Sequence, residues 1–479
     1  MAKNALILIL AAALAFVLWQ QATRAPEPIP VVEKPAVPPA PIIPAVPQES
    51  PIHKILHEAA AKPGLKGAAI GFCLMDAEGA VIEDHHAQTA FIPASSLKTV
   101  TTASALEIWG PDFQIETQLS ATTPPKNGVI EGDLILVGGG DPMLSLADLH
   151  VMAEDLKKRG VTTIQGRIIG DGRLFKGSIF DDFWNWGDIG NGYGSAVSGL
   201  NLEHNRYTAV FRASATVGQP AEFLGTDPEV PGVTAINETL TGAADSGDGV
   251  VIHGGEHTGV VHLRGSVPLG ESHFQLLGAV PDPEYFAAHH LKKILITAGI
   301  TVRGSAAAWT ALEMPPAEPT EVLVTHRSPT LKEIITSIHA TSDNHETECL
   351  FRLLGLQGRK APDAVIREHW KSRGLNFTGL RMEDGCGLAR ADFITPHDLT
   401  RLQHLAARGP FAAIYKDSLL SKDTLHWKGG AMSSIRSTTG MITTKSGKEY
   451  SFTFMINHYA NGQAASALRD ALIEAMLGL

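Results

Sequence analysis

Cysteine is scarce. Three residues, Cys73, Cys349 and Cys386, lie far apart in a chain of 479. An odd, sparse set cannot make a disulfide framework. At most one bridge could form, and buried free thiols are the simpler expectation. No CxxC or Cys/His spacing accompanies them, and His-Glu-x-x-His is missing, so no metal and no cofactor are expected despite 20 histidines. The adjacent pairs His85-His86 and His289-His290 read as surface residues pointing different ways. Basic runs are lacking too. The net charge is −11 with both signs mixed along the chain, which argues against a nucleic-acid partner. No fixed-period repeat is found, so a solenoid is excluded. Gly138-Gly139-Gly140 lacks the following Gly-Lys-Ser/Thr of a phosphate loop, so a nucleotide site is rejected.

What is present is an ordinary globular composition, 44% hydrophobic and 19% charged, in a chain too long for one core. Long apolar runs are confined to Ala5–Trp19, which follows Lys3. That run is shorter than the ~20 residues of a comfortable membrane span and fits the core of a secretory signal. Thr23-Arg24-Ala25 offers only a mediocre cleavage site, so an uncleaved anchor stays open. No nearby cysteine allows a lipoprotein. Residues 1–25 are therefore read as a signal peptide or N-terminal anchor, and contact with the membrane is expected through this segment alone. Residues 26–51 are rich in proline, alanine and valine and read as an extended linker. Export implies a periplasmic or cell-envelope location.

From residue 52 the texture is globular. Gly67–Met75 followed by Asp76-Ala77-Glu78-Gly79 reads as a strand and hairpin. Pro93-Ala94 leads into a small-residue helix that Gly110-Pro111 ends. Residues 112–320 are β-rich, with turns every 8–12 residues and two helical stretches, Ser145–Arg159 and Tyr285–Ala298. Helices return from Ser328. Near the end, strands Ser434–Thr444 and Tyr450–Asn457 flank a turn at Lys445-Ser446-Gly447-Lys448, and Gln463–Leu477 is an amphipathic helix. The simplest account is a layered α/β domain in two parts, 52–111 and 321–479, interrupted by an inserted β-rich region at 112–320.

Two motifs carry chemistry. Ser95-x-x-Lys98 sits at a helix start, where one turn brings both side chains to the same face. A lysine acts as a base only if burial or a second cation lowers its pKa. A helix N-terminus also offers N–H groups to a developing oxyanion. Ser96 has Thr99, not lysine, three residues on. Ser342-Asp343-Asn344 is the second motif; alone it is equally a helix cap. Ser-x-x-Lys, Ser-Asp-Asn and Lys-Thr-Gly together mark β-lactamases and penicillin-binding proteins. For the third box, Lys445-Ser446-Gly447 lies on a hairpin tip, whereas Lys428-Gly429-Gly430-Ala431 lies one strand earlier, with glycine in place of threonine. Lys428 is the better candidate for a lysine lining a cleft.

With these residues the chain resembles the D-alanyl-D-alanine carboxypeptidase/endopeptidase family, the type-4 (class C) low-molecular-mass penicillin-binding proteins. The likeness runs from about Ile52 to the C-terminus. Gly132-Asp133-Leu134, Gly138–Pro142, Ile164–Asp171 and Tyr193–Leu200 resemble family segments. Asp384-Gly385-Cys386-Gly387-Leu388-Ala389-Arg390 is similar to an Asp-Gly-Ser-Gly-Leu-Ser-Arg loop, with Cys386 and Ala389 replacing serines. The resemblance implies a penicillin-binding-protein/β-lactamase-like transpeptidase domain, an antiparallel sheet flanked by helices. It implies an acyl-enzyme on Ser95, with Lys98 as base, Ser342 passing a proton to the leaving amine, Asn344 holding the peptide, and Lys428 supplying charge. Ser95 and Ala431 N–H groups would form the oxyanion hole, beside Gly429 and Gly430. Peptidoglycan peptides would be substrates and β-lactams covalent inhibitors. Gly429 removes a hydroxyl expected to bind the terminal carboxylate, and Arg436 is a candidate replacement if strand alternation brings it to the cleft. Gly429 also motivates the alternative of a catalytically weak peptidoglycan-binding or scaffold protein. A β-lactamase is disfavoured by the long insertion and by the lack of any Glu-x-x-x-Asn.

Overall fold

Period-two alternation builds the central sheet. Along Glu449–Asn457, Tyr450, Phe452, Phe454 and Ile456 join one hydrophobic cluster, while Met455 joins another on the opposite face. The sheet has six antiparallel strands: β1 (Ala69–Met75), β2 (Val81–His85), β3 (Leu420–Lys422), β4 (Leu425–Met432), β5 (Ile435–Thr443) and β6 (Glu449–Asn457). Their order is β3-β4-β5-β6-β1-β2, so the two ends of the chain's globular part meet at the β6–β1 pair. The computed structural model describes Trp19 and residues 50–479. The expected signal or anchor and nearly all of the linker lie outside the described residues, apart from Trp19, Ser50 and Pro51. Among the described residues no helix is long and apolar enough to cross a membrane.

Helices cover both faces. On one side α1 (Pro51–Ala59) and the C-terminal α6 (Gly462–Leu477) bury Ile52, Leu56, Leu468 and Leu472 against the Phe452/Phe454 face. Each such side chain contributes about 1.5–3 kcal/mol when fully buried. On the other side lie α2 (Lys98–Trp109) and α5 (Pro396–Ala406). The helix α2 is buried all round from Lys98 to Leu106, so it behaves as a core helix rather than an amphipathic one. Its hydroxyls are all partnered: Thr101 donates to Gly385 O (2.7 Å), Thr102 bonds His339 (2.9 Å), and Ser104 accepts from Trp370 Nε1 (2.8 Å). Gly110, at φ 79°, ends it. This layered α/β arrangement of sheet and helices is the one expected.

Between Glu116 and Arg327 the chain carries a separate hydrophobic cluster and a five-stranded sheet. The strands of this sheet run in the order 306–308, 168–171, 134–137, 116–121 and 321–327. The entering strand Glu116–Ala121 pairs antiparallel with the leaving strand Glu321–Arg327, so the chain departs and returns side by side. Helices on the other side of the boundary resume with α3 (Leu331–Thr341), which Thr330 and Glu333 start through a capping box. Then follow α4 (Asn344–Gly358) and a helix at Pro362–Ser372. The three cysteines are free and buried. One surface expectation fails. His290 is 7% exposed, because it turns inward on the helix Pro283–Thr297 to bond Glu229 O at 2.9 Å.

Candidate active site

A single 3₁₀ turn, Ala94–Leu97, feeds α2 and presents Ser95 at its mouth. Ala94 has φ 47°, a conformation costly for a residue with a Cβ. Ser95 Oγ lies 3.1 Å from Lys98 Nζ. Lys98 is fully buried and spends its remaining donors on Asn344 Oδ1 (2.5 Å) and the Cys386 carbonyl (2.8 Å). Burial pushes its pKa down, against the pull of surrounding acidic groups. Ser96 turns the other way. Its buried hydroxyl bonds Ser437 Oγ (2.7 Å) and the Lys428 carbonyl (3.3 Å).

Ser342 ends α3 in the left-handed region at φ 61°. Asp343 then caps α4, accepting Glu346 N at 2.9 Å. Capping and site formation therefore coexist in one tripeptide, since the cap fixes the turn that aims Ser342 and Asn344 inward. Lys428 Nζ donates to Ser342 Oγ (2.8 Å) and to Gly429 O (2.9 Å). Lys428 is 2% exposed, and burial followed by the charge of Lys98 lowers its pKa to about 7. Asn344 Nδ2 donates to the Tyr193 carbonyl (2.8 Å), which leaves one amide proton and one lone pair for a ligand.

Strand β4 lines the cleft. Beyond Trp427 its outer edge is not paired by β3, which covers Leu425–Trp427. Alternation puts Lys428 and Gly430 on the α2 face, and Gly429 and Ala431 on the other. A Cβ at Gly430 would lie 2.7 Å from Ser95 N and 2.8 Å from Pro93 O, so only glycine lets β4 approach the serine this closely. A Cβ at Gly429 would meet just Ser437 O at 3.8 Å, which is open space. Ser95, Asn344, Ala431, Tyr193 and Arg390 line a cavity of about 350 Å³. Arg436 does not reach it. It sits one strand inward of the β4 edge, across from Ala431 and Ile456, and its guanidinium donates to Ser466 Oγ on α6, which holds it away from the cleft.

Lys445 projects from the hairpin turn, where its side chain is 75% exposed and 3.8 Å from Glu474. We expect Lys445→Ala to keep near-normal acylation by penicillin. Lys428→Ala should lose roughly ten- to hundredfold, the worth of one charge-assisted hydrogen bond of ~1.5–3 kcal/mol. Stopped-flow acylation rates compare the two, and the reverse pattern would exchange their roles.

Four contributors have no role readable from the sequence, although Tyr193, Asp384 and Cys386 fall in the family-like segments. The Cys386 carbonyl receives Lys98, and a carbonyl leaves no trace in residue type. Asp384 organises that loop by accepting the N–H groups of Cys386 (2.8 Å), Gly387 (2.5 Å), Leu388 (3.0 Å) and Ala389 (2.8 Å), and Trp184 Nε1 (2.8 Å). Tyr193 O holds Asn344 from the inserted region. Arg206, also inserted, grips Asp343 with two bonds of 2.6 and 3.1 Å. Burial pushes the Asp343 carboxyl up, yet Arg206 outweighs it and holds the group well below the usual range. His204, Asp343 and Glu346 bring possible metal-ligand atoms within 4.8 Å of one another. A cation there would sit against the fixed Arg206 charge, which disfavours it.

The chain is similar to known proteins over most of its length. A profile of the D-Ala-D-Ala carboxypeptidase 3 (S13) family matches residues 52–421. A D-alanyl-D-alanine carboxypeptidase of an Actinomadura strain is 29% identical over 447 residues, spanning 86% of this chain and 81% of that protein. The DacB carboxypeptidase of Haemophilus influenzae is 24% identical over 439 residues, 85% of this chain and 89% of its own. The crystal structure of penicillin-binding protein 4 from H. influenzae superposes with a TM-score of 0.77 at 20% identity, covering 89% of this chain and 99% of that one. Its complex with a β-lactam gives 0.72 at 19% identity, covering 89% and 100%.

Proposed function

Because the chain belongs to the D-Ala-D-Ala carboxypeptidase 3 (S13) family, and is thus a serine peptidase of D-alanyl-D-alanine ends, we propose that Ser95 is its nucleophile. The observation that carries this is one contiguous chain of contacts. Ser95 Oγ is 3.1 Å from buried Lys98, and a second buried lysine, Lys428, reaches Ser342 Oγ at 2.8 Å. Lys98 takes the Ser95 proton as Oγ attacks the carbonyl of the penultimate D-alanine. The oxyanion forms between the N–H groups of Ser95 and Ala431, a contribution of about 3 kcal/mol per donor. Ser342 hands its proton to the leaving amine and takes one from the Lys428 ammonium bonded to it. Asn344 supplies its spare donor and acceptor to the peptide. Water then releases the acyl group. The unpaired edge of β4 suits a substrate lying alongside it as an added strand.

A β-lactam follows the same route and stays attached, because its leaving group remains tethered. The peptidoglycan stem peptide is the substrate we assign, and the cell envelope, reached through the N-terminal segment, is the place. Labelling with a fluorescent penicillin and peptide mapping of the adduct test the reading. An adduct at Ser95 is expected. No label at all would favour the scaffold alternative, and rapid turnover of the penicillin would favour a β-lactamase.

Two further outcomes are expected. Gly429→Thr restores a hydroxyl where the backbone leaves room, so turnover of a D-Ala-D-Ala-ended peptide should rise about tenfold, the scale of one such bond. Penicillin acylation should change less, since the strained lactam brings its own driving force. Equal turnover by wild type and variant would mean that another group already binds the carboxylate. The second outcome concerns pH. Lys428 is charged below its pKa of about 7 and neutral above it, so its assistance fades as pH rises through 7. Lys98 works as a neutral base, and burial lowers its pKa from the ordinary lysine value, so its deprotonation supplies a rising limb. Lys428→Arg keeps the charge at all pH values and should move the falling limb upward. An unmoved limb would assign it to another group.

A further inference from the structure

A large cavity lies away from Ser95. It measures about 910 Å³ and opens between the inserted segment 175–182 and the outer face of α4. Phe175, Phe180 and Phe351 give it apolar walls. Charges of both signs line it. Lys176 and Arg359 are exposed and make no ion pair, and the same holds for Asp182. Asp181 accepts the Phe183 N–H, makes no salt bridge, and is pushed up to about 6 by burial against the weaker pull of Arg352. Unspent charges of opposite sign around an apolar hollow match a ligand that carries both an ammonium and a carboxylate.

The back of this cavity is also the back of the catalytic loop. Glu348, one turn after Asn344 on α4, lines the cavity and is 2% exposed. It accepts Gly385 N at 2.8 Å and Arg352 Nε at 3.1 Å. The next residue, Cys386, gives its carbonyl to Lys98 at 2.8 Å. Two covalently continuous elements, α4 and the 384–389 loop, thus join this wall to the lysine.

We infer that this cavity is a second binding site for a short zwitterionic peptide, the class of peptidoglycan stem fragments, and that its occupancy is felt at Lys98. The inference rests on the reading of Ser95 above for the nature of its ligand. The test uses protein whose Ser95 already carries a penicilloyl group, so that the cleft is blocked. Failure to acylate would sink the Ser95 reading before any peptide is added. The probe is the free tripeptide L-Ala-γ-D-Glu-L-Lys, titrated by calorimetry. Saturable binding is expected, at least tenfold weaker in the Lys176→Glu/Arg359→Glu variant and for the peptide acetylated at its amines. Deacylation of the penicilloyl-enzyme should change at least twofold at saturation, a readout that a passive surface would not move. No saturable binding up to about 10 mM, a Kd too weak to matter, would overturn the site. Binding that ignores the double substitution would place the peptide elsewhere and overturn it equally. Binding without any change in deacylation would remove the link to Lys98.

Discussion

Ser95→Ala should abolish covalent labelling by penicillin and leave the thermal unfolding midpoint nearly unchanged. The side chain is half-buried, and its hydrogen bond is to Lys98, which keeps Asn344 and the Cys386 carbonyl as partners. Losing one neutral hydroxyl contact costs ~1 kcal/mol of stability at most. The chemistry, by contrast, has no substitute nucleophile. Ser96 is one residue away but is held by Ser437 and the Lys428 carbonyl, on the far side of the turn from Lys98. Intact-mass measurement after incubation with penicillin decides the matter. A mass increase in the alanine variant, or an adduct mapped to Ser96, would remove Ser95 from its role.

Gly430→Ala should be nearly as damaging, although it adds a single methyl group. The new Cβ would stand 2.7 Å from Ser95 N and 2.8 Å from Pro93 O, both backbone atoms that cannot swing aside. Strand β4 must therefore retreat from the 3₁₀ turn. The N–H of Ala431 moves with it and no longer converges with that of Ser95. Loss of one oxyanion donor lowers acylation about 10²–10³-fold. β4 keeps its antiparallel pairing with β5, so circular dichroism and solubility should stay close to wild type. Gly429→Ala is the internal control, because a Cβ there meets open space. If the two alanine variants acylate at the same rate, the close approach of β4 is not what sets the oxyanion geometry.

The sheet and its helices were legible because their signals are local. Alternation marks β6, and a glycine stops α2. The placing of Lys428 on a lining strand and Lys445 on a hairpin tip follows from the same local reading. Arg436, a candidate only on condition that it faced the cleft, instead shares a face with Ile456 and bonds Ser466. The contacts of Arg206, Tyr193 and Cys386 were illegible for another reason. These residues act through long-range contacts, two of them through backbone carbonyls whose donors lie 151 and 288 residues away. Neither periodicity nor spacing encodes such a meeting.

The order of these contacts along the chain also sets a timetable. Ser95 and Lys98 emerge early, yet Lys98 finds Asn344, then the Cys386 carbonyl, and its neighbouring cation Lys428 only as the later parts of the polypeptide arrive. Until then the lysine stays hydrated and protonated, with its ordinary basicity, and cannot draw a proton from the serine. A nascent or half-folded chain thus carries a nucleophile that is chemically asleep. Burial of one ammonium serves as the signal that assembly is complete.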